Sequence, residues 1–389
     1  MARIYAASPD EIRSGRITDV YFERTRRIVE RAGLSDVRVR MEIHAYSLPK
    51  GYEWAVFAGL EEALAILEGR PVDVYSVPEG TIFRRKEPLM VIEGRYYDFG
   101  VLETALLGVL RFSSSIATKA ARVRAAAGDR IVLYFGLRAL HPAVAPAADR
   151  AAYIGGVDAV SGLEAPEYLG LEPRGTMPHA LIILFGDQRE AWKRYAELYG
   201  ETIALVDTFY DERIEAVMAA ETLGEKLVGV RLDTPGSRRG RMRDIVEEVR
   251  WALNLMGRRD VKIIVSGGID EDKIAELKDV VDGFGVGTAI SAAPSIDLSM
   301  DIVEIYRNGR WEPVTKRGKL PGFKQLYICP NGSRIVAPWG SKPECPGGGE
   351  PKPMLSKVME SGKITKPLPG LDEIRGYVLS QLRDMGLLK

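Results

Sequence analysis

Apolar and polar positions change period several times along the first hundred residues. From Val37 to Tyr46 they alternate, which predicts a half-buried strand, and Val72–Pro78 and Pro88–Gly94 read as strands too. Glu62–Glu68 carries a helical repeat, and Ser8 or Thr18 is placed to cap a helical stretch. From Leu102 to Gly128, Ala, Leu and Arg recur at helical spacing, with Gly128 as the stop.

Beyond Gly128 a rhythm sets in. Short apolar runs at Arg130–Gly136, near Ala159, and at Ala180–Phe185, Ile203–Asp207, Val228–Asp233, Ile263–Ser266 and Gly283–Gly287 read as strands. Helical stretches at Glu190–Leu198, Asp211–Ala220, Met242–Met256 and Glu271–Val280 lie between them. Strands alternating with helices predict a parallel sheet, and roughly six or seven such units suit a barrel. After Pro294 the alternation stops. Ile302–Tyr306 and Gly309–Val314 read as strands joined at Asn308-Gly309, a hairpin signal, and a last helix runs from Leu371 to about Gly386. The fold expected is α/β: an N-terminal α/β domain at 1–111, completed by strands from about 301–320, then an α/β barrel at 112–293. A C-terminal extension occupies 321–389.

Composition narrows the setting. A chain of 389 residues with 46% hydrophobic and 28% charged positions suits two globular domains. Lys+Arg and Asp+Glu are both 54, so no overall charge draws the molecule to nucleic acid or to a membrane. No run of about 18 apolar residues predicts a membrane span, and the segment from Met1 to Ser14 lacks the apolar core of a signal peptide. Two cysteines argue against a disulfide scaffold and fit the cytoplasm. Three Gln and three Asn are few for this length and hint at a thermophile.

Ligands of a parallel barrel bind where its strands end, and polar residues gather there. Arg138 follows Phe135-Gly136-Leu137. Asp158, Gly175-Thr176-Met177-Pro178-His179, Asp207-Thr208 and Arg231-Leu232-Asp233 come next in order. Ser266-Gly267-Gly268 and Gly285-Val286-Gly287-Thr288 close the last two units, where barrels place a phosphate against backbone N–H groups. Each charge could instead pair with its neighbour, and each glycine pair could be an ordinary turn. The basic runs Arg24–Arg27 and Arg238–Arg241 read as solvated faces, though the second follows the Arg231–Asp233 strand end and could touch diphosphate. Residues alone end at a barrel that binds a phosphorylated small molecule.

Blocks in a fixed order carry a resemblance over nearly the whole chain. They run from Thr18-Asp19-Val20-Tyr21, through Glu103–Leu107, Ile116–Arg122, Phe135–Arg138 and Arg150–Asp158, to the Gly-Thr-Met-x-His block at His179. Asp207-Thr208, Arg231–Asp233, Ser266–Gly268, Gly283–Thr288 and Lys316-Arg317 complete them. The chain resembles the nicotinate phosphoribosyltransferase family, kin of the nicotinamide and quinolinate enzymes. The resemblance implies a phosphoribosyltransferase-type barrel making nicotinate mononucleotide and diphosphate for NAD biosynthesis, with Mg²⁺ as cofactor and ATP as co-substrate. His179, Arg231, Asp233 and Asp207 would be catalytic, and His179 would accept a phosphoryl group from ATP. Tyr21 from a partner subunit would cover a base stacked on Phe135 in a homodimer or higher homo-oligomer. Leu137, Arg138, Asp158, Gly175 and Thr176 would bind substrate, and Ser266, Gly267, Gly268, Gly285, Gly287 and Thr288 the 5′-phosphate. Pro178 and Ala180 flank the histidine where the commoner family form has other residues. A quinolinate enzyme, or a barrel enzyme or binding protein for another sugar phosphate, remains the alternative. In the extension, Cys329 and Cys345 look like the remains of two zinc knuckles, with Gly332 and Gly348 where further ligands would stand, so zinc is not expected.

Overall fold

The computed structural model describes residues 2–234 and 240–389. They fall into two compact units. The first comprises residues up to Thr118 with Pro294–Val378; the second comprises Lys119–Ala293 with Leu379–Lys389.

In the first unit a seven-stranded antiparallel sheet runs in the order Arg310–Pro313, Asp297–Arg307, Arg38–Ser47, Pro88–Arg95, Asp73–Ser76, Ser356–Glu360 and Lys363–Ile364. Alternation along 38–47 sends Met41, Ile43 and Ala45 into the core beside Leu64, Leu67, Met90 and Ile92. Arg40 joins three adjacent strands: it reaches Glu93 at 2.8 Å and Glu304 at 2.7 Å, lying against the rings of Trp311 and Phe323. Asn308 and Gly309 both take positive φ, at 51° and 78°, as a tight hairpin requires. The segment expected as a separate extension divides. Ser356–Glu360 pairs with Asp73–Ser76 in the main sheet, and Ile374 and Val378 of the last helix are buried, with Ile374 packed against Gly80. Lys324–Ile328, Arg334–Pro338 and Lys352–Pro353 form a small sheet of their own.

Helix Glu103–Ala127 begins in the first unit and ends in the second. The stretch 96–127 is by length and composition alone apolar enough to cross a membrane. Leu102, Leu106 and Leu110 are wholly buried in protein, so the apolarity serves a core.

The second unit holds five parallel strands in the order Ile131–Tyr134, Gly283–Val286, Lys262–Ser266, Leu227–Leu232 and Thr202–Leu205. Expected strands number more than this. Near Ala159 the chain makes a single bridge to Leu133. The run at 180–185 belongs to a helix, His179–Phe185, closed by Gly186 at φ 68°. A short apolar run has no period that separates strand from helix, and here Ile183 and Leu184 are exposed while Ile182 alone is buried.

Candidate active site

All five parallel strands of the second unit end on one edge, and each delivers a polar or glycine residue there. Strand 131–134 leads into Phe135, whose amide donates to the Val286 carbonyl at 2.8 Å. The ring then crosses Gly285, where a Cβ would stand 2.6 Å from it, so glycine is needed for the close approach of the aromatic ring. Gly267 and Gly268 follow strand 262–266 with φ of 90° and 65°, a turn that side chains rarely adopt. Between these ends lies a cavity of about 280 Å³ lined by Phe135, Arg138, Arg231, Asp233, Ser266, Gly267, Gly268, Gly285, Gly287 and Thr288.

Arg231 and Asp207 are the charges here most withdrawn from water, while Arg138 is exposed. Arg231, next to last in strand 227–232, donates to the Met177 carbonyl at 3.1 Å and stands 3.9 Å from Asp233. Its Nε is buried without a hydrogen-bond partner. Burial pushes its pKa down, opposed by Asp233 and Asp207, yet a guanidinium remains a cation. Asp207 accepts the Asp233 amide on Oδ2 at 2.7 Å, while Oδ1 is buried without a hydrogen bond. Burial raises the Asp207 carboxyl to about 6, with the His179 ring opposing the rise. His179 begins helix 179–185. Its Nδ1 is 3.1 Å from Thr208 Oγ1, and its Nε2 is 3.8 Å from Asp207 and 3.7 Å from Asp233. Ser266 donates to Asp233 at 2.8 Å. An aromatic ring, two guanidinium groups, two carboxylates, a histidine and two glycine turns thus share one end of one sheet.

Two family profiles match the chain: the N-terminal domain of quinolinate phosphoribosyl transferase over residues 19–114 and its C-terminal domain over 116–301. A nicotinate phosphoribosyltransferase of Bacillus subtilis (strain 168) is 30% identical over 357 residues, covering 80% of this chain and 72% of its own. The chain belongs to the nicotinate phosphoribosyltransferase family. A second family member, from Mycobacterium tuberculosis, is 32% identical, with 80% of this chain and 68% of its own covered. The crystal structure of nicotinate-nucleotide pyrophosphorylase from Pyrococcus furiosus superposes with a TM-score of 0.95 at 52% identity, covering 99% of each chain. Human nicotinic acid phosphoribosyltransferase shares the fold, with a TM-score of 0.78 at 23% identity over 96% of this chain and 94% of its own.

The family's other anticipated site residues are scattered. Asp158 stands apart from the cavity: its carboxylate takes the guanidinium of Arg124 and the Val132 amide, and Arg124 also binds the carbonyls of Gly128 and Arg130. Those partners lie at the opposite end of strand 131–134, so Asp158 is an anchor there. Leu137 occupies a 3-10 turn whose neighbours Gly136, Arg138 and Ala139 line the cavity without it. Gly175 is exposed, and Thr176 buries a hydroxyl without a hydrogen bond. Tyr21 is 56% exposed on helix Val20–Arg31 of the first unit. Of the second basic run, Arg238 and Arg239 lie outside the described residues, and Arg241 pairs with Asp244 at 2.9 Å. Cys329 and Cys345 form a disulfide, so their sulfurs are not free as zinc ligands. Their two turns, closed by Gly332 and Gly348, face each other.

Sequence reasoning missed the supports behind the site. Glu215 is wholly buried and accepts the amides of Thr208, Phe209 and Tyr210; Glu212 accepts the Thr234 hydroxyl at 2.9 Å. Two acidic residues in the first turn of helix Glu212–Leu223 read as ordinary helix-start composition. Only their burial marks them.

Proposed function

We propose that the protein forms nicotinate mononucleotide and diphosphate from nicotinate and phosphoribosyl diphosphate, coupled to ATP through a phosphohistidine at His179. The observation that supports this most is the convergence of Phe135, Arg138, Arg231, Asp233 and both glycine turns on one cavity. Phe135 offers a face to a pyridine ring. Arg138 and Arg231 supply planar forks for a ring carboxylate and phosphoribosyl oxygens. As the C1–O bond to diphosphate breaks, its electron pair leaves with the diphosphate, positive charge develops on the ribose, and the pyridine nitrogen forms the new bond at C1. Positioning and charge stabilisation then carry the rate. The 267–268 and 285–287 turns are the seats for the 5′-phosphate.

Asp207 and Asp233 fit the ribose hydroxyls or a hydrated Mg²⁺, because Mg²⁺ usually keeps several waters and takes one or two carboxylates. The buried Oδ1 of Asp207, without a hydrogen bond, is such a donor. When bound, Mg²⁺ would neutralise charge on the leaving diphosphate. Tyr21, exposed on its helix, is the residue we assign to cover a neighbouring subunit's base in a homodimer or larger homo-oligomer. We propose the cytoplasm as the setting of the reaction.

A product assay decides. The enzyme is given phosphoribosyl diphosphate and Mg²⁺ with nicotinate, nicotinamide or quinolinate, each with and without ATP. Nicotinate mononucleotide from nicotinate, made faster with ATP, is the expected result. Carbon dioxide release from quinolinate would move the protein to the activity for which both matching profiles are named. No product from any of the three would sink the proposal.

A further inference from the structure

Two turns that line the cavity are joined behind it by one hydroxyl. Ser291 closes the short helix Thr288–Ser291, which follows directly on the 285–287 turn. Its hydroxyl donates to the Gly136 carbonyl at 2.7 Å. That proton is the only one the Ser291 side chain has to give, so the Tyr134 hydroxyl, 2.8 Å away, must donate to Ser291 Oγ. Burial pushes the Tyr134 phenol up to about 12, against its hydrogen bond with Ser291, so the donor keeps its proton. The Gly136 carbonyl also takes the Ala139 amide at 3.0 Å, the bond that closes the 3-10 turn Leu137–Ala139. Both of its lone pairs are used, and the turn that presents Arg138 is pinned from two sides. Gly136 has φ −100°, open to any residue, yet a Cβ there would overlap the Ser291 hydroxyl and the Tyr134 ring. The glycine of the Phe-Gly-Leu-Arg block thus makes room for this pair of hydroxyls.

We propose that Ser291 is a positioning residue for Arg138, clamping the Gly136 carbonyl so that the Arg138 turn and the 285–287 turn keep one spacing. The spacing matters because a base held near Arg138 must meet C1 of a ribose whose 5′-phosphate is anchored on the glycine turn. This inference rests on the roles proposed above for Arg138 and the glycine turns.

Ser291→Ala removes the clamp and leaves the Tyr134 hydroxyl buried without its acceptor, so it should also melt at a lower temperature. Ser291→Ala/Tyr134→Phe removes both hydroxyls, which should return most of the melting temperature without restoring the clamp. In both variants hydrogen exchange at the Ala139 amide should quicken. Both should lose about tenfold or more in kcat/KM for nicotinate, through a small displacement of Arg138. In an Arg138→Ala background, adding Ser291→Ala should change kcat/KM little, because residues that act through one contact are not additive. An activity that returns together with the melting temperature in the double variant means that Ser291 serves stability alone, and overturns the proposal. Unchanged exchange at Ala139, or an undiminished loss in the Arg138→Ala background, overturns it as well. Full activity of Arg138→Ala by itself overturns the role given to Arg138 instead, while exchange at Ala139 still decides whether Ser291 holds the turn.

Discussion

Single residues carry two outcomes that can be measured directly. His179→Ala should abolish the stimulation of product formation by ATP while leaving slow ATP-independent synthesis, because Arg138, Arg231 and Asp233 still line the cavity. Persistence of full ATP stimulation in steady-state assays would remove His179 from the coupling. Asp149 gives the second. It is wholly buried, and burial raises its carboxyl to about 7 against the Gly162 amide that donates to it at 3.0 Å. Because the folded pKa is the higher one, no penalty exists below about pH 4, where both states are protonated. Stability falls as pH rises toward 7, where the unfolded chain ionises first, and the penalty is complete above that. Asp149→Asn should therefore gain thermal stability relative to the native chain progressively between about pH 4 and 7, then hold that gain. A difference in melting temperature that stays flat with pH would show that Asp149 ionises freely. Residues at strand ends were legible because a charge or glycine after an apolar run has few reasons to be there. Asp158 is tied to Arg124 and the Val132 amide instead of lining the cavity, a placement that a sequence does not show because it does not say which end of a strand a carboxylate faces. Glu215 was invisible, since helix-start acids are usually solvated.

At the scale of elements, period and turn chemistry located the long helix at 103–127, the 308–309 hairpin and all five parallel strands to within a few residues. The run at 180–185 failed because six apolar residues fit either structure, and the left-handed Gly186 after them settles the matter only in three dimensions. The cysteines failed for a different reason. Their spacing looked like zinc knuckles lacking half their ligands, and the two turns instead approach closely enough for a disulfide across 16 positions. Closing a loop of about that length stabilises a fold by roughly 3 kcal/mol. A Cys329→Ser/Cys345→Ser double variant should melt at lower temperature by a corresponding amount under oxidising conditions. Adding reductant should bring the native chain down to the variant. If the two melt together before reduction, the bond contributes nothing to stability. A disulfide also qualifies the argument for the cytoplasm from cysteine number.

For the molecule as a whole, the role assigned to Tyr21 makes the active site a property of two chains. Tyr21 is exposed on a helix in the first unit, and the cavity with Arg138 belongs to the second. If Tyr21 covers a neighbour's base, each site draws on two chains, and two different defects can complement one another. Tyr21→Ala and Arg138→Ala should each be poorly active alone, the first through a raised KM for nicotinate, the second through loss of a charge-assisted contact. Mixed, dissociated and reassembled, they should form hybrid dimers in which one site receives an intact Tyr21 and an intact Arg138, and the other neither. Random pairing makes half of the dimers hybrids, each with one sound site of two, so activity should return to about a quarter of the native value. A mixture no more active than the mean of its two components would mean that Tyr21 does not act across subunits. Recovery would make the oligomer part of the catalytic unit, and dilution below its dissociation constant should then cost activity even in the native enzyme.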